Sequence, residues 1–259
     1  MVSYTLYYRE NGLVYWRDCL VEAEPNCTSA VIKDGTKTIG ASAFKDCISL
    51  NSVAIPSSVT TIGTEAFAGC AALNSIQIPE SVTAICDHAF WKCTGLKSVV
   101  IPNSVTSLGD GAFEGCSGLE QAVLPAGITE LAFGLFMGCS KLASVVIPPN
   151  VELIGPVVFD SCSSLVSIDI PLSVRQICWG AFWDCSSLQT VTFDEGIGLI
   201  WIDKDIFKGC GSLSEESREA IESIYEMFDY DELEDAPCPE CDDDLDDDFD
   251  SEADDGEDE

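Results

Sequence analysis

The chain has a single histidine, His88, among 259 residues. Nucleophilic triads and most acid–base centres need an imidazole, or an equivalent convergent set, beside a nucleophile. At the place His88 takes in an internal repeat, other copies carry Glu65, Gly111, Gly134, Val157 and Gly180. The position reads as permissive and exposed, and no catalytic residue is expected. Neither a G-x-x-x-x-G-K-[ST] loop nor a dinucleotide glycine pattern occurs, which removes two common phosphate cradles. The calcium loop D-x-[DN]-x-[DN]-G-x5-E is missing too. No enzyme activity, cofactor or metal is expected.

Positive charge is also scarce, with 12 Lys and Arg against 45 Asp and Glu and a formal net charge of −33. Such a chain is repelled by nucleic-acid backbones and anionic membranes, so neither is expected as a partner. No apolar run reaches 18 residues, and the opening MVSYTLYYRENG has no basic start leading into an apolar stretch. A cytoplasmic location is the expectation from these two absences.

What is present is a period. Phe44, Phe67, Phe90, Phe113, Phe136, Phe159 and Phe182 are spaced by 23 residues, and Phe207 follows after 25. Three residues after each lies a cysteine, Cys47 through Cys185 and then Cys210; three further on lies Leu50 through Leu188 and then Leu213. A fixed period of this size is the signature of a stacked solenoid. Equivalent residues then lie one above another, so eight of the fourteen cysteines read as a buried thiol ladder rather than disulfides or metal ligands. Cys86 and Cys178, which replace a glycine after Ile, read as packing residues.

Within a coil, Leu50-Asn51-Ser52-Val53-Ala54-Ile55-Pro56 places apolar residues at 50, 53 and 55, the pattern of a short strand that Pro56 ends. Val59, Ile62, Ala66, Phe67 and Cys70 then recur at spacings of three and four, the mark of a short helical or 3-10 turn. The expected fold is an α/β repeat: a right-handed solenoid with a parallel β-sheet on one face and short helical or 3-10 turns on the other.

Four segments follow. Residues 1–38 form an N-terminal cap hairpin and degenerate first coil, with Tyr4, Leu6 and Tyr8 before the Asn11-Gly12 turn and a strand at Leu13 to Trp16. Residues 39–213 carry the 23-residue repeats. In the last coil two extra residues precede Ile202, which reads as a surface bulge or as a partner site at Trp201. Residues 214–228 form a capping helix that starts at Ser214 and has Ile221, Ile224, Tyr225 and Phe228 along one stripe. Residues 229–259 hold nineteen of the 45 acids and no Lys or Arg, so a disordered acidic tail is expected, as a solubilising brush or a docking arm. Its Cys238-Pro239-Glu240-Cys241 is half of a zinc site at most, and reads as an inert pair or a weak metal or redox pair.

The string I-G-x-x-A-F-x-x-C-x-x-L-x-x-V-x-I-P-x-S-V-T, clearest from Ile62 to Thr83, resembles the BspA-type leucine-rich repeat over roughly residues 27 to 213. Leu73, Ile76 and Ile78 stand where such repeats have L-x-x-L-x-L, while Ser58, Ser81, Ser104, Gly127, Asn150 and Ser173 replace the asparagine ladder of commoner leucine-rich repeats. The resemblance implies a curved, non-catalytic binding scaffold, often found in surface adhesion proteins.

If the strands alternate, Ala54, Gln77, Val100, Val123, Val146, Asp169 and Thr192 form one outward row, beside Ser52, Ser75, Ser98, Gln121, Ser144, Ser167 and Thr190. The candidate binding residues are Gln77, Val100, Val123, Val146 and Asp169. Trp91, Met137 and Trp183 form a second row that reads as packing between coils or as an apolar surface. The expected function is a monomeric protein–protein interaction scaffold, binding an unidentified protein with a basic patch through the strand face with help from the tail; the alternative is a cell-surface adhesin or structural repeat protein.

Overall fold

The computed structural model describes residues 7–228. Expectations on Tyr4, Leu6, Cys238, Cys241 and the acidic segment 229–259 lie outside the described residues.

A repeat becomes a solenoid when each coil gives backbone hydrogen bonds to the next. Two strand registers do so here. The first runs through Ser29–Val31, Ser52–Ala54, Ser98–Val100, Gln121–Val123, Ser167–Ile170 and Thr190–Phe193, and parallel bridges at Ser75 and Ser144 extend its middle portion. The second holds two-residue strands at Thr38–Ile39, Thr61–Ile62, Ala84–Ile85, Ser107–Leu108, Glu130–Leu131, Leu153–Ile154, Gln176–Ile177 and Trp201–Ile202. Pairing within both registers is parallel, for example Thr61 with Ala84 and Val100 with Val123. Every coil therefore has two β corners, the second at residues that the spacing assigns to a helical turn.

The expected helical and 3-10 face is replaced by hydrogen-bonded turns. Around Phe67 the backbone amides alternate: those of Ala66, Ala68 and Cys70 donate to carbonyls three residues back, whereas those of Glu65, Phe67 and Gly69 donate to Asp87, Ala89 and Trp91 of the next coil. A helix needs every amide for its own carbonyls, so it cannot propagate when alternate amides leave for a neighbour. In seven coils two left-handed residues complete the turn, as at φ 53° for Glu65 and 72° for Gly69, and the last coil keeps only Gly209. The spacings of three and four are real, but they come from this alternating turn.

Parallel pairing sets neighbouring coils about 4.8 Å apart, and identical residues stack at nearly that distance. The phenylalanines form an unbroken ladder from Phe44 to Phe207, with ring centroids 5.2 Å and planes 2° apart for Phe67–Phe90 and for Phe90–Phe113. Beside it the ladder cysteines are buried, and from Cys70 onward each thiol donates to the Phe carbonyl of the coil before, as Cys70 does to Phe44 and Cys116 to Phe90, both at 3.1 Å, while Cys47 donates to the Glu24 carbonyl. The rungs are thus hydrogen-bonded as well as packed.

The two ends are finished differently. Strands β1 (Tyr7–Glu10), β2 (Leu13–Trp16) and β3 (Cys19–Ala23) form an antiparallel meander, and β3 then pairs in parallel with Thr38–Ile39. Asn11 and Gly12 both have positive φ, 52° and 79°, as the tight hairpin turn requires. Tyr15 is buried, and its hydroxyl accepts the Lys33 amide at 3.0 Å.

At the other end lies helix α1 (Glu215–Tyr225), capped by the Ser214 hydroxyl, with Glu215 and Glu216 in its first turn. No helix among the described residues is long and apolar enough to cross a membrane. The helix packs on Thr190–Phe193, the last strand of the first register, through buried Ile221 and Ile224. Buried Ser217 does there what a further strand would do: its hydroxyl accepts the Val191 amide at 3.0 Å and donates to the Gln189 carbonyl at 3.2 Å. Ser217→Ala strands the Val191 amide away from water and is expected to cost about 1–3 kcal/mol in urea unfolding, while Glu219→Ala, on the exposed side of α1, stays within about 0.5 kcal/mol of the parent. Equal stabilities for the two variants would remove this role for Ser217.

Candidate functional site

Alternation in the first register decides what faces outward. Val99, Ala122, Val145, Ile168 and Val191 point into the core, and their neighbours point away. Val100, Val123 and Val146 are 62%, 53% and 81% exposed. Val100 pairs with Val123, and Ser98 and Ser144 pair with Gln121 between them, so the valines form one column beside a hydroxyl and amide column. Gln77 and Asp169 are exposed at either end of the valine column. Asp169 is opposite Thr192, whose hydroxyl donates to its carboxylate. The same column continues to Val31, 70% exposed and paired with Ala54, a member that the sequence reading left out because the first coil is degenerate.

Charge marks this face as different. From Ser52 to Ser167 the two outward columns contain no charged residue, in a chain with 57 Asp, Glu, Lys and Arg combined. The turn face is the reverse. There Lys45 donates to both carboxylate oxygens of Glu65 at 2.8 Å, which holds that carboxyl below its usual range. His88 lies 3.2 Å from Glu114, and Glu114 also accepts the Trp91 indole N–H at 3.0 Å. Partial desolvation, and then the charge of Asp87, push the Asp110 carboxyl above its ordinary value.

His88 is half-buried, with its Nε2 against the Glu114 carboxylate, rather than fully exposed. Its repeat position is not free to vary in the way its mixed composition implies: Ser42, Glu65, His88, Gly111, Gly134, Val157 and Gly180 all have positive φ. Three glycines in that column were the available signal, since left-handed backbone favours glycine. Trp201 is half-buried and pairs through its backbone with Gln176, as part of the second register. Trp91 lies under the Lys92 ammonium at 4.0 Å, and the Trp183 indole donates to the Asp205 carbonyl at 2.6 Å, so both face their own neighbours.

The model of the BspA type leucine-rich repeat region matches residues 22–143 and 129–241, with six copies. No curated protein matches the chain. Among solved structures the chain is similar to a leucine-rich repeat protein of T. pallidum, at 24% identity over 87% of this chain and 95% of that one, with a TM-score of 0.58. It is also similar to one from Eubacterium ventriosum ATCC 27560, at 25% identity over 83% of this chain and 52% of that one, TM-score 0.61. A leucine-rich cell surface protein from Faecalibacterium prausnitzii A2-165 matches at 29% identity over 65% of this chain and 60% of that one, TM-score 0.49. The chain thus spans about half to three fifths of the length of the last two.

Proposed function

The chain belongs to the BspA-type leucine-rich repeat family, and from that premise we propose that it is a non-enzymatic scaffold that binds a partner protein through the exposed strand face. The supporting observation is the stack of Val100, Val123 and Val146, each more than half exposed, within two outward columns that carry no charge from Ser52 to Ser167. Interface cores are depleted in charge, and a contiguous apolar patch is what a partner covers. Gln77 and Asp169 border the stack as polar rim. The acidic segment 229–259 adds attraction for a partner with a basic patch, a contribution that salt screens. A cytoplasmic location and a monomeric state complete the reading; recovery from the surface of unpermeabilised cells would replace the location and favour an adhesin.

The test is affinity capture from source-cell lysate with the intact protein, a form ending at Phe228, and a Val100→Asp, Val123→Asp, Val146→Asp variant shown to remain folded. Burying three carboxylates against a partner is expected to weaken binding at least roughly 100-fold. Capture that survives in the valine variant rejects the strand face. Loss only on truncation, together with release in moderate salt, moves recognition to the acidic segment.

A further inference from the structure

The thiol ladder begins at Cys47, and this first rung is held differently from those that follow. Stepping back 23 residues from Cys47 and Leu50 leads to Glu24 and Cys27, so the degenerate first coil carries a cysteine in the leucine column and an acid in the cysteine column. The same turn closes both coils: the Leu50 amide donates to the Cys47 carbonyl at 2.9 Å, and the Cys27 amide to the Glu24 carbonyl at 3.0 Å. Cys47 Sγ donates to that same Glu24 carbonyl at 3.8 Å. Two cysteines, twenty residues apart in the chain, therefore converge on one oxygen, with their thiols within hydrogen-bonding reach of each other.

Their access to solvent differs. Cys47 is 1% exposed, whereas Cys27 is half-buried in a turn whose Pro25, Asn26 and Thr28 are exposed. A reagent from solution meets Cys27 first, and Cys47 lies behind it. The other half-buried thiols among the described residues have different neighbours: Cys19 donates to the Leu20 carbonyl, and Cys86 feels the charge of Asp87.

We propose that Cys27 and Cys47 are a redox pair, which a soluble disulfide of the glutathione class converts into an intramolecular bridge that clasps the cap to the first full coil. The Cys27 sulfur gives up its proton and attacks one sulfur of the reagent. The reagent's S–S bond breaks, and its first thiolate leaves and takes up a proton. Cys47 then gives up its proton and attacks the Cys27 sulfur of this mixed disulfide. The Cys27–Cys47 bond forms, the bond to the reagent breaks, and a second thiolate leaves and is protonated. Two thiols are oxidised to one disulfide while one disulfide is reduced to two thiols, so no other oxidant is required. Burial first, and then the Cys27 charge, hold the Cys47 thiol up at about 12. Within the mixed disulfide Cys27 has no charge, so that second cause vanishes at the step where Cys47 must ionise, and proximity favours its attack. In a reducing compartment the pair rests as two thiols. Oxidation closes a loop at the end of the array, where a coil has fewest neighbours to hold it. The strand Ser29–Val31, which brings Val31 to the outward column, starts two residues after Cys27 and is held by the same bridge.

The experiment exposes the reduced full chain to oxidised glutathione and follows intact mass, with peptide mapping after cleavage at glutamate, since Glu22 and Glu24 separate Cys19 from Cys27. The expected product lacks two hydrogens and joins the Cys27 peptide to the Cys47 peptide, while any adduct on Cys19 or Cys86 keeps the reagent. Cys47→Ala is expected to trap glutathione on Cys27, at roughly ten times the level that Cys27 keeps in the parent chain. Cys27→Ser, at a half-buried position, keeps the test decisive if the buried substitution unfolds the chain: in it Cys47 is expected to stay unmodified. The bridge is expected to raise the melting temperature by about 5 °C, an increase that dithiothreitol reverses. An unreacted Cys27, glutathione retained on Cys27 of the parent chain, a bridge from Cys27 to another cysteine, modification of Cys47 in Cys27→Ser, or a bridge that leaves the melting temperature unchanged overturns the proposal.

Discussion

Between pH 8 and pH 10 the protein is expected to lose a large part of its stability, more steeply than lysine and tyrosine titration explain. The cause is the thiol ladder. Burial raises the ionisation of Cys93, Cys116, Cys139 and Cys162 well above the ordinary 9.0, with neighbouring rungs adding to the effect for the first three. Cys47, at the start of the ladder, is pushed up to about 12, by burial first and then by Cys27. In the unfolded chain these thiols ionise near 9, whereas in the folded chain they keep their protons.

The sign follows from proton binding: above pH 9 the unfolded state holds fewer protons than the native one, so stability falls as pH rises. It is fully present below the unfolded value and lost toward the folded one. At pH 10 each of the four central rungs contributes a loss of a little over 1 kcal/mol, about 5 kcal/mol together, which is comparable to the total stability of many domains. Urea unfolding at pH 8, 9 and 10 measures it. A Cys116→Ala, Cys139→Ala variant is expected to start from lower stability but to show a shallower decline. Parallel pH curves for the two proteins would sink the assignment.

The second large effect is expected from Phe113→Ala. Phe113 is buried at the centre of the aromatic ladder, 5.2 Å from Phe90 and 5.8 Å from Phe136. Truncation opens a cavity that the coils above and below cannot close, because their spacing is set by strand pairing. The expected cost is about 3–5 kcal/mol. Phe207 stacks on Phe182 alone and is half-buried, so Phe207→Ala is expected to cost less than half as much. Stability in a repeat array is a sum over coils and nearest-neighbour contacts, which is why position along the ladder matters. Urea unfolding of both variants checks this, and equal losses would contradict it.

The period of 23 residues was sufficient to place Phe, Cys and Leu in stacked columns, because any regular coil returns equivalent residues to equivalent places. Alternation around Val100, Val123 and Val146 was equally legible, since a strand has only two faces. The turn face was not. Spacings of three and four at Val59, Ile62, Ala66, Phe67 and Cys70 fit a helix and an alternating turn alike, and the choice lies with amides such as those of Phe67 and Gly69, which bond to the next coil. Local periodicity carries no record of a bond made 22 residues away.

The ends were harder still. Ser214, Ile221 and Ile224 announce a helix, but nothing in the spacing of residues says that Ser217 meets Val191 and Gln189, or that the Cys47 thiol shares the Glu24 carbonyl with the Cys27 amide. By itself the sequence determined the solenoid, its ladders and its apolar outward column, all consequences of repetition. Only the tertiary structure decided how each coil turns, how the last strand is terminated and which ladder thiol meets a half-buried partner, because those depend on contacts between segments that do not repeat.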